Sequence, residues 1–556
     1  MNDLTAILEA ALTHQQEGRL DQAETIYRKV LKIDPSDSSA IHLLGTLMQR
    51  RGNFDEAISL IGKAILLSPK VADYHANIAA VYLAAGRPLE AASHAKTALK
   101  IDADNFDAAY NLGNALFALG DVAASVKMFQ RSLELDPANQ ACWTNYLFTL
   151  NFSPDATPAD IWQANRLWGE GIEEAREGAE VSFANTGKPG YADPDRQLNL
   201  AYFLPELDQH VTTRFIEPVL SAHDREQFSV FVYGDRTDAR SPPSAIGDSA
   251  DHWIDTHGLS DRDIARRMRG DGIDVLAHPC TFKARYRTVL AHRAAPVQIA
   301  CTNLVSTTGL EDTDYLITDG FISPDREGEA YFTEQLIRLT GFNIYKSFDA
   351  EPEPGPLPAA ESGLVTFGSF NNIAKLTGRV VAVWSEILTA VEGSRLLLKN
   401  GAFDDVSVRH RTTERFFDQG IAADRVLFEG FTQDPAGYLS AYQRVDISLD
   451  PFPFGGGTTS YEAIWMGVPV LTLAGDTFMG RLSGSLMHRL DLPEFVVDSK
   501  ADYIAAARLL ASDVDRLGEI RCSLRHQAQA TIFNAERHVA ELEAAYRDAW
   551  VAFCET

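Results

Sequence analysis

Apolar residues along this chain keep two different rhythms. Over positions 1–150 they fall into paired helical stretches, broken at even intervals by glycine and proline. After position 195 short apolar runs of strand length, at 198–204, 228–233, 273–277, 296–301 and 315–318, alternate with helical stretches at 211–223, 261–270 and 286–293. A second series has strands at 364–370, 395–399, 426–428, 447–449 and 468–473, with helices at 379–391, 407–419 and 436–443. Strands that alternate with helices predict parallel sheets covered on both faces. Trp384 is expected to face inward, and Tyr286 and Arg287 to lie on a helix surface. The final helix, 535–552, is long enough to reach back across a hinge.

Two stretches rich in proline and glycine punctuate the pattern: NTGKPGYADPD at 185–195 and AEPEPGPLPAAE at 350–361. The expected organisation is helical repeats at 1–150, a helical linker at 151–195, a first α/β lobe at 196–349, a hinge at 350–361, and a second α/β lobe at 362–556 ending in the crossing helix.

The helical part repeats itself. Gly18, Gly52, Gly86 and Gly120 are spaced by 34 residues, as are Ala23, Ala57, Ala91 and Ser125. Pro35, Pro69, Ala103 and Pro137 keep the same step, and so do Leu44, Ile78 and Leu112 with Gly45, Ala79 and Gly113. A 34-residue period with this grammar is the tetratricopeptide repeat. Each glycine ends the first helix of a pair, the small residue five positions on lets the second helix pack close, and the proline closes it. Each pair leaves an apolar face uncovered, so neighbours stack into a superhelix. Such a superhelix presents a concave surface that binds peptide or protein, or serves as a structural arm. Asn77 and Asn111, one repeat apart, are expected on its lining helices, where amides can hold a peptide backbone of any sequence.

Candidate chemistry concentrates in LDPFPFGGGTTSYEAIWMGVPVLTL, residues 449–473. A buried strand enters a turn of Gly455, Gly456 and Gly457. Thr458 and Thr459 follow at a helix start, and Glu462 lies one turn in. Glycines admit close backbone approach to an anion, and a helix N-terminus favours negative charge. The threonines can donate to phosphate or cap the helix, and the acid can accept from a ribose hydroxyl. The segment therefore reads either as a nucleotide-diphosphate cradle or as an ordinary capped helix. FNNIAK, residues 370–375, lies at the carboxyl end of the first strand of the same lobe. Asn371 and Asn372 offer amides there, and Lys375 a positive charge suited to a leaving diphosphate. Lys399 and Arg481 are further cations on the ligand side. In the first lobe His210 follows the first strand, where a general base would sit, and His278 and Lys283 follow another strand.

Composition narrows the class. The 556 residues are 45% apolar and carry a net charge of −27, which disfavours a nucleic-acid partner. The five cysteines are scattered, with neither a disulfide framework nor zinc-ligand spacing, which suggests a reducing, cytoplasmic setting. No apolar run approaches a membrane span.

With these residues in hand, the chain resembles the O-linked N-acetylglucosamine transferases of bacterial type: tetratricopeptide repeats joined to a GT-B glycosyltransferase of two Rossmann-like lobes. The resemblance is most specific at FGSFNNIAK, at the glycine–threonine stretch and at GDTFMGRLSGSL. It implies an inverting protein O-glycosyltransferase that needs no metal and moves N-acetylglucosamine from UDP-GlcNAc to Ser or Thr of an acceptor protein held by the repeats. It implies His210 as the proposed base, Lys375 and Asn372 near the diphosphate, Thr458 and Thr459 on phosphate, and Glu462 on ribose. The chain departs from the family at 303–308 (NLVSTT), where relatives carry Gly-Tyr-Pro-Gly-Thr. It also departs at 278–281 (HPCT), where many bacterial relatives have a Gly-His-Thr turn, and at Tyr438 and Gly457, where the family has histidines. A nonulosonic acid moved from a CMP-activated donor to flagellin is the alternative donor class, and an inactive repeat scaffold the alternative of another kind. An epimerase-like sugar enzyme fits poorly with a repeat arm. The repeats also leave an oligomer open.

Overall fold

The computed structural model describes residues 2–176, 182–183, 190–205, 210–235, 244–279, 283–302, 306–324, 326–346 and 352–555. The chain divides into two compact units, Met1–Thr149 and Leu150–Thr556.

The first unit is a stack of antiparallel helix pairs. The pairs Asn2–Gln16 with Leu20–Ile33, Ser38–Arg50 with Phe54–Leu67, Ala72–Ala84 with Pro88–Ile101, and Phe106–Ala118 with Val122–Leu135 follow the 34-residue period. Gly18, Gly52, Gly86 and Gly120 take φ between +72° and +79°, the left-handed turn that ends the first helix of each pair. Ala23, Ala57, Ala91 and Ser125 are fully buried. A Cβ on Gly45 would fall 2.5 Å from Ile61, so the second repeat closes only around glycine. Asn77 and Asn111 bind neighbouring repeats: Asn77 Nδ2 meets His42 Nε2 at 2.9 Å, and Asn111, buried, donates to the Ala76 carbonyl at 3.0 Å.

The second unit holds two parallel sheets. The strands of the first are β1 (Leu198–Leu204), β2 (Phe228–Gly234), β3 (His252–Asp255), β4 (Val275–His278), β5 (Val297–Ala300), β6 (Tyr315–Asp319) and β7 (Gln335–Leu339), in the order β3-β2-β1-β4-β5-β6-β7. Those of the second are β8 (Thr366–Ser369), β9 (Arg395–Lys399), β10 (Val426–Glu429), β11 (Ile447–Leu449), β12 (Val470–Leu473) and β13 (Val496–Val497), in the order β10-β9-β8-β11-β12-β13. The strands absent from the sequence reading are β3, β7 and β13. All three are sheet edges whose residues are mostly half-buried or exposed, so no continuous apolar run marks them.

The last helix, Ala535–Cys554, packs on the first sheet. Val539, Leu542, Tyr546 and Trp550 share a core with Leu200, Tyr202 and Val232. Glu543 accepts from His223 at 2.8 Å, and His223 in turn meets the Tyr202 hydroxyl at 2.8 Å. The described part of the hinge is clamped by arginines from helix Val514–Ala530. Buried Arg521 donates to the Pro354 carbonyl at 2.7 Å, and Arg525 to that of Pro352 at 2.7 Å. Trp384 faces the second core as expected.

Tyr286 and Arg287 are buried, contrary to the helix-surface expectation. Tyr286 packs its ring against Phe203 of β1, and Arg287 is covered by the linker helix Pro158–Glu174. The Arg287 guanidinium sits 4.4 Å from the Trp168 ring centroid and donates to Asn165 Oδ1. That helix approaches so closely that a Cβ on Gly169 would fall 2.1 Å from the Gly309 carbonyl. Among the described residues no helix is long and apolar enough to cross a membrane.

Candidate functional site

In both sheets the strand order reverses between two central neighbours, β1 and β4 in the first and β8 and β11 in the second. At such a reversal the connections leave in opposite directions and open a crevice at the carboxyl ends of the strands. β8 and β11 deliver the two segments singled out above to the same crevice.

After β8 the chain makes a tight turn, Ile373–Lys375. Lys375 Nζ donates to the Gly455 carbonyl at 2.7 Å and to Asn371 Oδ1 at 3.0 Å, and lies 4.6 Å from the Phe454 ring centroid. Asn371 Oδ1 also accepts from Thr459 Oγ1 at 3.1 Å, so one amide joins the lysine to the threonine pair. Asn372 is exposed, and its side chain accepts from Ala374 N in its own turn. The amide that faces the cradle is therefore Asn371. Burial pulls the Lys375 ammonium down to about 8, against the opposing pull of Asp450.

After β11 comes Asp450, whose importance the sequence reading missed. This buried carboxylate accepts from the Gly456 N–H at 2.6 Å and from Thr472 Oγ1 at 2.8 Å. Burial pushes its carboxyl up, while these bonds and Lys375 draw it back. The glycines are required by space. A Cβ on Gly455 would fall 2.8 Å from Asp450 Oδ2, and one on Gly456 would fall 2.1 Å from Ser460 Oγ. The N–H groups of Gly455 and Gly456 point inward, to the Met479 carbonyl and to Asp450. Both are thus bonded within the protein, where the glycine-turn argument expected them to face an anion. The helix Thr458–Trp465 starts at Gly457 with no side-chain cap, so its first N–H groups are the ones left for a ligand. Neither threonine acts as the cap that the ordinary-capped-helix reading allowed.

Glu462 is buried between two tyrosines. Its Oε2 accepts from Tyr438 OH at 2.9 Å and its Oε1 from Tyr345 OH at 3.3 Å. Burial raises its carboxyl to about 7, while the two tyrosine bonds and Arg214 act against that rise. Tyr345, from the segment after β7, was not foreseen; it brings the first lobe to the acid. Arg481 donates to the Phe321 carbonyl at 2.8 Å and to that of Gly475 at 3.2 Å, with its guanidinium over the Phe321 ring. It lines a cavity of about 330 Å³ together with Thr307, Tyr331, Phe332, Asp476 and Phe478. Lys399 turns away from the cradle: it is buried and donates to the Gly430 carbonyl at 2.9 Å and to Thr432 Oγ1 at 2.6 Å.

His210 opens the helix His210–Ala222 after β1, at the reversal point of the first sheet. Its side chain lies outside the described residues. His278 ends β4 and is buried, and burial lowers the nearby Lys283 to about 8. Residues 280–282 and 303–305, within the two departures at 278–281 and 303–308, also lie outside the described residues. Of the second departure, Thr307 Oγ1 donates to buried Glu334 at 2.7 Å, and Thr308 N donates to it at 2.6 Å.

Comparison with known proteins gives a consistent picture. The pattern of Glycosyl transferase family 41 matches residues 184–344 and 358–542, and a tetratricopeptide pattern matches 14–81 and 82–144. The chain is 32% identical over 439 residues to the "Probable UDP-N-acetylglucosamine--peptide N-acetylglucosaminyltransferase SPINDLY" of Oryza sativa subsp. japonica, covering 77% of this chain and 46% of that protein. The Arabidopsis thaliana protein of the same name is 32% identical over 76% of this chain and 46% of its own length. The chain thus spans about half the length of the curated relatives it matches. Among solved structures, a lysine-to-methionine mutant of the Thermobaculum terrenum O-GlcNAc transferase superposes with a TM-score of 0.78. It is 29% identical, with 99% of this chain and 98% of that one covered.

Proposed function

The chain belongs to glycosyltransferase family 41, and we propose that it is an inverting protein O-glycosyltransferase that acts on Ser or Thr. N-acetylglucosamine from UDP-GlcNAc is the donor the relatives' names favour. The observation that carries the reading is the convergence of Lys375, Asn371 and Thr459 within hydrogen-bonding distance at the mouth of an uncapped helix. A cation and a helix N-terminus in a partly desolvated crevice supply positive potential where a diphosphate leaving group gathers charge. When the sugar nucleotide enters, Lys375 exchanges its bond to the Gly455 carbonyl for phosphate oxygens, and the Thr458 and Thr459 hydroxyls donate alongside. Glu462 accepts from the ribose in place of one tyrosine. This charge balance needs no metal, so turnover should persist in the presence of a chelator.

The acceptor hydroxyl needs a base on the opposite side of the crevice, and His210, at the reversal point of the first sheet, is assigned that role. The repeats hold the acceptor protein. Intact-mass measurement of candidate acceptors co-expressed with the full chain tests the reading, because the added mass identifies the sugar. Nucleotide release is assayed in parallel with UDP-, GDP- and CMP-activated donors. Turnover with a CMP-activated nonulosonic acid alone would replace the N-acetylglucosamine assignment. No added mass, no nucleotide release and no stabilisation by any nucleotide would leave the protein as a repeat scaffold.

A further inference from the structure

A cavity of about 170 Å³ lies where three segments meet. These are Thr340 and Gly341 after β7, Arg489 at the end of helix Leu482–Arg489, and Thr531 to Glu541 around the start of the last helix. It shares no residue with the crevice described above. Arg489 has no carboxylate partner among the described residues, and its Nη1 reaches the Asn343 carbonyl at 3.4 Å. Its guanidinium lies flat against Gly341, where any Cβ would fall 2.1 Å from Cζ. Arg537 stands in the first turn of the 20-residue helix that opens after Asn534, adding its charge to the positive helix end. His538, in the same turn, is only 5% exposed; burial and Arg489 lower its ring to about 4 against a bond to the Gly341 backbone, so the neutral ring leaves Nε2, which makes no hydrogen bond among the described residues, as an acceptor. Among the described residues one carboxylate, Glu541, borders the cavity. It is occupied by the Thr340 N–H at 2.8 Å and by Arg537 Nε at 3.6 Å.

Two guanidinium groups, a helix N-terminus and a buried ring nitrogen left as a free acceptor form a setting that suits an anion carrying a hydroxyl. We propose that this cavity binds a phosphate-sized tetrahedral oxyanion, with Arg489 and Arg537 as its cationic partners and the hydroxyl of a hydrogen phosphate donating to His538 Nε2. The volume lies below the ~300 Å³ at which ordinary ligand pockets begin, so a nucleoside diphosphate does not fit. The three segments come from both lobes, so a bound oxyanion ties them together. The Asn343 carbonyl that Arg489 reaches also accepts from Tyr461 OH at 3.3 Å, on the helix that carries Thr458 and Thr459.

The test is thermal unfolding of the full chain during titration with inorganic phosphate at constant ionic strength. Saturable stabilisation is expected in the parent and also in Lys375→Met, which disables the crevice. The apparent Kd should rise at least tenfold in Arg489→Met and severalfold in Arg537→Met. Arg537 is exposed, so that variant keeps its fold and decides the matter should Arg489→Met not fold. Absence of saturable stabilisation in the parent overturns the proposal. So does a response that survives in Arg537→Met and vanishes in Lys375→Met, which would place the phosphate in the crevice.

Discussion

Lys375→Met separates what the buried cation costs from what it does. Burial pulls the ammonium from 10.5 to about 8. That drop corresponds to roughly 3 kcal/mol held against the charged form at neutral pH. Residual solvent contact and the lost bond to the Gly455 carbonyl trim the gain, leaving about 1–2 kcal/mol. Methionine fills the space of the aliphatic stem. The variant without ligand should therefore be more stable than the parent at pH 7. The gap stays constant below pH 8. Between pH 8 and 10.5 the folded parent has released the proton that its unfolded chain still holds, so the parent gains stability as pH rises and the gap closes. Function moves the other way: removing a donor aimed at developing charge lowers turnover by roughly 10²–10³. The assay is urea unfolding at pH 7, 9 and 10.5 with and without UDP, alongside turnover. A variant less stable than the parent at pH 7, or a gap that does not narrow above pH 8, would refute the strained-cation argument. Undiminished stabilisation by UDP would refute the diphosphate role.

Other outcomes follow from the same geometry. Asp450→Ala strands the Gly456 N–H and the Thr472 hydroxyl and should cost about 2–4 kcal/mol in urea unfolding, with loss of nucleotide binding. Gly456→Ala drives a methyl into Ser460 and should cost about 1–3 kcal/mol while weakening UDP binding, read by calorimetry. Glu462→Gln should stabilise the ligand-free protein above pH 7. The parent's raised carboxyl costs stability progressively from pH 4.5 to about 7, and the difference should vanish below pH 4.5. Gly45→Ala should lower the melting temperature through its clash with Ile61, at about 1–3 kcal/mol, yet leave UDP affinity unchanged.

The repeat period, the interior strands and the position of the glycine–threonine turn were all legible in the sequence. Each is a local pattern: a 34-residue recurrence of small residues, an apolar run buried on both faces, a glycine cluster ahead of a helix. The edge strands β3, β7 and β13 escaped because their half-exposed residues carry no such signature, whereas the edge strand β10 was marked by its Val-Leu-Phe run. Tyr286 and Arg287 were misplaced because their covering comes from far along the chain, Phe203 of β1 for the tyrosine and a helix more than a hundred residues earlier for the arginine, which no local rhythm announces.

At the site, sequence by itself determined which residue types stand beside a strand end: Lys375, the threonine pair, Glu462. Tertiary structure decided how they are used. It turned two glycine N–H groups inward onto Asp450 and Met479, chose Asn371 over its neighbour Asn372, sent Lys399 elsewhere, and closed two tyrosines over Glu462. The physical reason is that hydrogen-bond partners and burial are set by segments far apart in the chain. Spacing can nominate a charged group, but only the packed fold fixes what that group has already been paired with.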